Sequence, residues 1–348
     1  MLCQFTVKNY KSIRDEVTFD MQAAAISEHE DRIIRDRDDE LYLPVSAIYG
    51  PNGGGKSNVL AALHTLVAKV LRPLFITEDN DDKVLLQKKI IVEPFAFSES
   101  KNEPTEFELF FRTDSAEYRY ILHVKRDMVI YESLDRVKME TGRRSALFKR
   151  DDNGIILKGA FAKLKVSDDL SKTLTLLSYL GIAYKGNAVV RDVLNWFESG
   201  VEFLNYGSPI QELRMAVATS ENVKHLMLEM IREMDLDIID FRVEEKENDM
   251  IEVLTKHCVD GLETEISLSD ESSGTKKLFG LLPFIAESLL TGTVLVIDEL
   301  DAKIHPVLLR HIIMMFNDLS INRHKAQLIF TSHDLSTMNN EVFRRDEI

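Results

Sequence analysis

Cysteine is almost absent from this 348-residue sequence, which contains only Cys3 and Cys258. The two residues lie far apart in the chain and match no metal-ligand spacing. We therefore expect two unpaired thiols, as is usual for a protein of a reducing cytoplasm.

Long apolar runs are also scarce, and we identify none that approaches the roughly 20 residues needed to span a bilayer. The amino-terminal segment MLCQFTVKNYKSIRDE is polar and alternating, unlike a signal peptide. We therefore predict a soluble, cytoplasmic protein with no membrane partner.

Positive charge is in deficit, because 43 lysines and arginines stand against 58 aspartates and glutamates, for a net charge of −15. This balance argues against a surface that binds nucleic acid on all sides. A local basic patch could lie in GRRSALFKRD, residues 142–151, although a charged hairpin rim is the favoured interpretation. DNA binding stays open but is not indicated by the charge.

The spacing of apolar residues divides the chain into segments with different predicted secondary structure. Residues 1–21 predict a two-stranded hairpin, residues 43–50 a buried central strand and residues 56–71 a helix. Alternation over residues 89–158 predicts an antiparallel β-meander that starts with KIIVEPFAF, whereas residues 160–235 are predicted to be helical. The methionines of that helical region and the single tryptophan are predicted to pack in the core.

A glycine-rich loop follows the strand predicted at residues 43–50. It fits the pattern G-x-x-x-x-G-K-[ST] with Gly50, Pro51, Asn52, Gly53, Gly54, Gly55, Lys56 and Ser57. Glycines let backbone N–H groups turn inward as an anion nest, and the helix beginning at Lys56 adds its positive end. We predict that Lys56 reaches the β- and γ-phosphates of ATP and that Ser57 ligates Mg²⁺.

Two acids end a second apolar strand, in the segment VLVIDELD. Four apolar residues place Asp298 at the carboxyl end of a buried strand, where it can hold Mg²⁺. Glu299 points to the other side and can polarise an attacking water, so hydrolysis is favoured over nucleotide sensing alone. The long interval between Ser57 and Asp298 indicates a large insertion.

A second anion site is predicted in SDESSGTKKL, where Ser272, Ser273 and Gly274 stand at a helix N-terminus. One nucleotide does not need two such loops in one chain. We therefore predict that each of two chains offers this loop to the γ-phosphate bound by its partner. His333, at the end of the strand AQLIFTSHD, is predicted to contact the γ-phosphate as well.

Together these motifs resemble the ABC-type ATPase head shared by the SMC, RecF and RecN proteins. GPNGGGKSN resembles their Walker A motif, SSGTK the signature loop, VLVIDE Walker B, LDAKIH the D-loop and TSH the switch histidine. The implied fold class is α/β, a P-loop NTPase head with an antiparallel β-meander lobe and a helical insertion. The resemblance also places Asn58 and Asp301 among the nucleotide-binding residues.

This resemblance divides the chain into three parts. Residues 1–158 form the amino-terminal part of the head, residues 159–237 the helical insertion and residues 238–348 the carboxyl-terminal part of the head. The Walker A motif falls in the first part, and the signature, Walker B, D-loop and switch histidine fall in the last.

The pairing of ESSGTKKLFGLLP with VLVIDELDAKIHPVL and QLIFTSHD is similar to one group of bacterial AAA-type ATP-binding proteins. This abortive-infection group includes RloA, and PtuA and the ATPase of the PARIS system are relatives. The resemblance implies a homodimer or higher homo-oligomer that closes head to head around ATP and Mg²⁺. It also implies a role in phage defence beside a separate effector, such as a nuclease or toxin.

The sequence departs from that pattern in three places. The signature is Ser-Ser-Gly-Thr rather than Ser-Gly-Gly-Gln or Ser-Gly-Gly-Glu. Its contact with the γ-phosphate can therefore differ from that of the other members. Gln87 is a weak match for the Q-loop glutamine. The chain ends at EVFRRDEI, where the group continues with further strands and helices, so a continuation past Ile348 is expected.

Two other functions stay open. A nucleotide-gated scaffold would use the same loops, with hydrolysis incidental. The other is an SMC- or RecF-like ATPase of DNA repair or DNA-end sensing. The Asp-x-Asp pairs suggestive of a Toprim nuclease are Asp36 with Asp38 and Asp235 with Asp237, and both precede the carboxyl-terminal part of the ATPase. We therefore expect no intrinsic nuclease activity.

Overall fold

The computed structural model describes residues 1–76, 90–97, 99–167, 169–205, 220–234, 237–246, 250–302 and 304–348. Within them the chain forms two compact units. The first unit comprises Met1–Ala25, Ile34–Leu43 and Pro51–Glu202. The second unit comprises Ile26–Ile33, Pro44–Gly50 and Phe203–Ile348.

The regular elements follow one another in a mixed order of strands and helices. The strands are β1 (Leu2–Lys8), β2 (Val17–Asp20), β3 (Ile34–Arg35), β4 (Leu41–Tyr42), β5 (Val45–Tyr49), β6 (Thr105–Arg112), β7 (Ala116–Lys125), β8 (Met128–Lys138), β9 (Arg144–Asp151), β10 (Gly154–Leu157), β11 (Val201–Asn205), β12 (Ile238–Lys246), β13 (Met250–Val259), β14 (Leu262–Ser267), β15 (Val294–Asp298) and β16 (Gln327–Ser332). The α-helices are α1 (Lys56–Ile76), α2 (Leu176–Ala183), α3 (Ala188–Ser199), α4 (Glu221–Glu233), α5 (Ser273–Thr291) and α6 (Pro306–Asn317).

An antiparallel sheet forms the body of the first unit, and its order over the described residues is β10-β9-β8-β7-β6-β1-β2. It contains the predicted amino-terminal hairpin and most of the predicted meander. Period-2 alternation buries Phe107, Leu109 and Phe111 of β6, and Tyr118 and Tyr120 of β7. The predicted antiparallel lobe is therefore confirmed.

Helix α3 packs against this sheet through two aromatic residues. Trp196 stacks on Phe111 with ring centroids 4.5 Å apart, and Phe197 meets Tyr120 edge-on at 5.9 Å. Asn187 caps the start of α3 by accepting two backbone N–H groups of its first turn. The predicted packing role of the single tryptophan is confirmed.

Helix α1 corrects one expectation from the sequence. By length and composition its stretch Lys56–Phe75 could cross a membrane, so the statement that no apolar run approaches that length is wrong. Its apolar residues Leu60, Leu63, Leu66 and Val70 are buried within the protein. Core helices that are mostly buried pass the same test, so length and composition alone do not indicate a membrane span here.

The second unit is built on a sheet whose order is β11-β15-β16-β5. β16 pairs in parallel with both β15 and β5. The residues of β16 are all buried, and so are Val294 to Ile297 of β15, which accounts for their unbroken apolar sequences. Among the described strands β5 pairs with β16 alone, so the prediction of a central strand at residues 43–50 is wrong. A hydrophobic run indicates that a strand is buried. It does not indicate whether the strand lies at the edge or in the centre of its sheet, because both positions can be buried.

Helices α4, α5 and α6 complete the core of the second unit. Met227, Met230 and Met234 are buried in it, as predicted for methionines that fill a core. Helix α6 begins as expected, with His305 as its cap and Pro306 in its first turn. A separate antiparallel sheet, β12-β13-β14, belongs to the same unit.

Two local predictions are wrong, because residues 90–97 form no strand and residues 201–205 form β11 inside the region predicted to be helical. Most of GRRSALFKRD is strand β9 of the β8–β9 hairpin, and its Arg143, Arg144 and Lys149 are exposed, which agrees with the favoured charged hairpin rim. Arg150 of β9 is buried and donates to three backbone carbonyl oxygens within residues 170–174. Its charge therefore serves internal hydrogen bonds, unlike the exposed basic residues of the same segment. The two cysteines are unpaired, as predicted.

Asp36 and Asp38 belong to an ionic cluster of the first unit. Arg112, itself buried, places Nη1 3.1 Å from the carboxylate of Asp36 and 2.7 Å from that of Asp38. Its Nε donates to Glu117 at 2.8 Å, and its guanidinium lies over the ring of Tyr42. A buried arginine needs such partners to offset its desolvation. This Asp-x-Asp pair therefore has a structural role, while Asp235 of the other pair lies outside the described residues.

Glu347 is a buried carboxyl group of the second unit, and its Oε2 accepts the backbone N–H of Arg344 at 2.8 Å. Burial raises the pKa of this carboxyl to about 8, from an ordinary value of 4.5. Between these two values the folded protein retains a proton that the unfolded chain releases. The free energy of unfolding therefore falls as the pH rises through that window.

We expect Glu347→Gln to flatten the pH dependence of stability, because the variant has no proton to lose. The slope removed is at most about 1.4 kcal/mol per pH unit, the value for one proton. Denaturant titrations at several pH values between 4.5 and 8 measure it. The exposed Glu341→Gln is the control, and identical slopes in wild type and Glu347→Gln would contradict the expectation.

Candidate functional site

The carboxyl ends of three parallel strands meet at one edge of the sheet in the second unit. Tyr49 at the end of β5 is in register with Ser332 at the end of β16, and β15 ends at Asp298 on the other side of β16. Gly50 and His333 directly follow the first two strands. This edge therefore brings together the entry of the phosphate loop, the first Walker B acid and the switch histidine, and in open α/β sheets ligands bind at such an edge.

The rest of the phosphate loop, residues 51–57, belongs to the first unit and leads into α1. Gly53 and Gly55 have φ angles of 77° and 89°, which residues with a Cβ rarely adopt. A Cβ on Gly55 would also lie 3.0 Å from Ser12 Oγ. Two of the three consecutive glycines are thus required by the backbone conformation of the loop.

Lys56 is the first residue of α1 and is only 8% exposed. Its Nζ donates to the carbonyl oxygen of Pro51 at 3.1 Å, so the side chain folds back over the loop that precedes it. Asn58 Nδ2 donates to Ser12 Oγ at 2.6 Å, which ties the first turn of α1 to the loop between β1 and β2. The ammonium group therefore lies beside the backbone that is predicted to bind phosphate.

Thr331, a fully buried residue of β16, holds the turn that carries the two Walker B acids. Its hydroxyl donates to Asp298 Oδ1 at 2.6 Å and accepts the backbone N–H of Glu299 at 2.7 Å. Its carbonyl oxygen accepts the N–H of Leu300 at 3.1 Å. One residue of the neighbouring strand thus fixes three consecutive residues of the Walker B turn.

Glu299 has a left-handed backbone conformation, with a φ of 54°. Such a conformation costs about 1–3 kcal/mol in a residue other than glycine, and it persists only when the surroundings enforce it. The hydrogen bond from its N–H to Thr331 provides that restraint. The Glu299 carboxylate is half-exposed, and its Oε1 lies 3.9 Å from His333 Nε2. The predicted base and the predicted switch histidine therefore face each other.

Asp301 connects the D-loop to the switch loop of the same chain. Its Oδ2 accepts the backbone N–H of His333 at 2.9 Å and that of Asp334 at 3.0 Å. The position of the switch histidine is therefore set by the carboxylate of the D-loop. A role of Asp301 in binding nucleotide stays a prediction.

The signature residues stand at the N-terminus of α5. Ser272 caps the helix by accepting the N–H of Thr275 at 3.1 Å, so the predicted helix start is observed. In the second turn, Lys277 Nζ donates to the carbonyl oxygen of Ala302 at 3.1 Å. The start of the signature helix is thus joined to the D-loop by a direct contact.

The predicted site residues fall into two sets. Gly50, the Walker B acids, the D-loop aspartate, the signature residues and the switch histidine lie in the second unit, and residues 51–58 lie in the first. Gln87 lies outside the described residues. Sequence reasoning missed Thr331, although a hydroxyl within an apolar strand, two residues before His333, was an available signal. It also missed Ser12 and Glu271, for which the sequence offers no comparable signal.

We expect Thr331→Val to lower the rate of ATP hydrolysis about tenfold or more. The Glu299 N–H loses its hydrogen-bond acceptor, so the Glu299 carboxylate is no longer held in one orientation. The unpaired N–H should also cost about 1–3 kcal/mol of stability. Steady-state turnover and thermal unfolding measure the two effects. Thr331→Ser retains the hydroxyl and should stay close to wild type, and equal losses in both variants would contradict the role given to the hydroxyl.

A family model described as "AAA domain, putative AbiEii toxin, Type IV TA system" matches residues 45–339, which is most of the chain. The predicted relation to the abortive-infection AAA group is thereby confirmed. A search of curated proteins gives no match.

Solved structures with similarity to this chain include SMC heads. The SMC head domain from Thermotoga maritima has 16% identity and a TM-score of 0.45, covering 96% of this chain and 89% of that chain. The SmcHead bound to the C-winged helix domain of ScpA has 14% identity and a TM-score of 0.47, with 97% and 91% covered. A Smc head domain with an extended coiled coil, bound to the C-terminal domain of ScpA derived from Pyrococcus furiosus, has 12% identity and a TM-score of 0.45, with 97% and 91% covered.

Proposed function

This chain belongs to the AAA-domain family whose model it matches, and we propose that it is an ATPase that binds ATP with Mg²⁺ and hydrolyses it. The observation that carries the proposal is the Thr331 hydroxyl, which fixes Asp298 and Glu299 together at the end of β15. A metal-binding acid followed by a restrained second acid suits hydrolysis, because the second acid can act on water.

Phosphate binding is assigned to the glycine loop and to Lys56. In this proposal backbone N–H groups of the loop bind the phosphate oxygens, and the ammonium group moves from the Pro51 carbonyl to phosphate oxygens when ATP enters. Ser57 and Asp298 stay the predicted Mg²⁺ ligands, because a hydroxyl and a carboxylate are oxygen donors that Mg²⁺ prefers. Bound there, Mg²⁺ would neutralise charge on the β- and γ-phosphates.

Proton transfer is assigned to Glu299, whose carboxylate accepts a proton from the attacking water. His333, 3.9 Å from that carboxylate, donates a hydrogen bond to the γ-phosphate. The Asp301 carboxylate holds the switch loop in position by accepting its backbone N–H groups. The residues of the second unit thus order both the base and the γ-phosphate contact.

A second chain supplies the signature loop in this proposal. Ser272, Ser273 and Gly274 present the N-terminus of α5, which attracts anions, to the γ-phosphate of the partner's ATP. ATP therefore holds two chains together, and hydrolysis releases them. Head-to-head dimerisation around two nucleotides follows from this arrangement.

We place this ATPase in phage defence, where opening and closing of the dimer gates or scaffolds a separate effector such as a nuclease or toxin. The wording of the family description, with its toxin and toxin–antitoxin system, supports this role. An SMC- or RecF-like function in sensing DNA ends fits the same motifs. Turnover measured with and without linear DNA separates the two, because an end sensor responds to DNA and an effector gate needs its protein partner.

Gly274→Ala tests the shared site. A Cβ at this position would meet only Ser272 Oγ, at 3.8 Å, so the variant should fold normally. Between two chains, however, the methyl group would lie where the γ-phosphate approaches the helix N-terminus. We expect turnover to fall tenfold or more, while ATP binding to the single chain changes little.

The control is Gly186→Ala, because a Cβ there meets nothing within 4 Å. Turnover is measured over a range of protein concentrations, since a site shared by two chains gives a specific activity that rises with concentration. Wild-type turnover in Gly274→Ala, together with a specific activity independent of concentration, would contradict the shared site.

A further inference from the structure

Glu271 directly precedes the signature loop, and its side chain is bound to residues 14 and 16 positions earlier in the chain. Its Oε1 accepts the hydroxyl of Thr255 at 2.6 Å and lies 2.7 Å from His257 Nε2. Both partners project from β13, in the antiparallel sheet of the second unit. The Glu271 side chain is only 10% exposed, and Thr255 is fully buried.

These contacts fix the backbone where α5 begins. The next residue, Ser272, caps the helix through its hydroxyl and also accepts the N–H of Lys276 through its carbonyl oxygen at 3.0 Å. These bonds join Ser272 to the first turn of α5. The anchored carboxylate of Glu271 therefore sets the position from which the signature residues face outward.

We propose that Glu271 is a positioning residue that ties the signature loop to β13 through Thr255 and His257. The proposal rests on the proposed function, because it gives this contact a part in ATP turnover through the signature loop. The Oε1 atom of Glu271 is bound to Thr255 and His257 of β13. Glu271 acts only by holding the loop that follows it.

The local effect is measurable without turnover, by hydrogen exchange of the Thr275 and Lys276 amides, which Ser272 protects. Glu271→Ala should speed their exchange tenfold or more. Glu271→Gln retains an acceptor oxygen and should stay within about threefold of wild type. Glu263→Gln removes an equal charge from the neighbouring strand β14, where Glu263 pairs with Lys256 at the surface, and should change nothing.

The functional effect follows from the same variants. Glu271→Ala should lower turnover tenfold or more and raise the protein concentration that gives half-maximal specific activity, while ATP affinity of the single chain stays within twofold. Adding His257→Ala to Glu271→Ala should cause no further loss, because both substitutions break one contact. If Glu271→Ala does not fold, Thr255→Val and His257→Ala carry the same test.

Unchanged amide exchange in Glu271→Ala would overturn the proposal, and so would losses that add in the double variant. A uniform decrease in stability with no selective effect on the Thr275 and Lys276 amides would also overturn it, because it would show a purely structural role. Faster exchange in a protein whose wild type hydrolyses no ATP would instead refute the proposed function and leave the anchoring of the loop standing.

Discussion

Replacing Glu299 with glutamine is expected to slow ATP hydrolysis by about two to four orders of magnitude while ATP binding persists. The amide keeps the size of the side chain and the hydrogen bond from the backbone N–H to Thr331, but it cannot accept a proton from water. Dimers that form around ATP should therefore accumulate. Turnover is measured by phosphate release, binding by titration with a fluorescent ATP analogue and dimerisation by light scattering.

The matched control is Glu287→Gln, which makes the same chemical change at an exposed position of α5. Undiminished turnover in Glu299→Gln would remove this residue from the role of base. The same variant distinguishes gating from scaffolding in cells. If the hydrolysis-deficient protein still triggers the defence response, ATP binding suffices and hydrolysis is incidental.

Lys56→Ala is expected to weaken ATP binding by about 2–4 kcal/mol, or roughly thirty- to thousand-fold in the dissociation constant. The ammonium group is the single positive side chain of the predicted phosphate motif, and a charge-assisted contact to phosphate has no replacement in alanine. Binding is measured by calorimetry with ATP and Mg²⁺.

Thermal unfolding accompanies that measurement, because the variant also loses the hydrogen bond from Nζ to the Pro51 carbonyl. Lys101→Ala removes an exposed lysine of the first unit and should leave ATP affinity unchanged. Wild-type affinity in a folded Lys56→Ala protein would show that the glycine loop does not bind the phosphates as proposed.

The sequence predicts well those parts of the fold that depend on residues close together in the chain. Alternation identified β6 and β7, and the serine that precedes a helical run identified the start of α5. The left-handed φ angles of Gly53 and Gly55 agree with the glycine pattern of a phosphate loop, because the loop conformation depends on neighbours within a few residues. The failures share a different cause. Residues 90–97 alternate like a strand, and residues 201–205 closely follow helix α3, so local pattern alone misassigned both.

Contacts between distant segments could not be predicted in the same way. Periodicity marks which residues of a strand are buried but carries no information about the register of one strand against another. Thr331 meets Asp298 and Glu299 only because β15 and β16 lie side by side in parallel. Arg112 at the end of β6 meets Asp36 and Asp38 in the loop between β3 and β4, which gives this Asp-x-Asp pair a structural role.

The amino-acid sequence by itself determined the phosphate loop, the order of the Walker B acids and the helix that follows the signature serines, because each depends on residues adjacent in the chain. Only the tertiary structure decided how these groups are held. The restraint on Glu299, the anchoring of the switch loop by Asp301 and the attachment of Glu271 to β13 are hydrogen bonds between residues that are 14 to 32 positions apart in the chain. Such bonds exist only once the strands and helices have packed, since their directional geometry is set by the fold and not by the neighbouring residues.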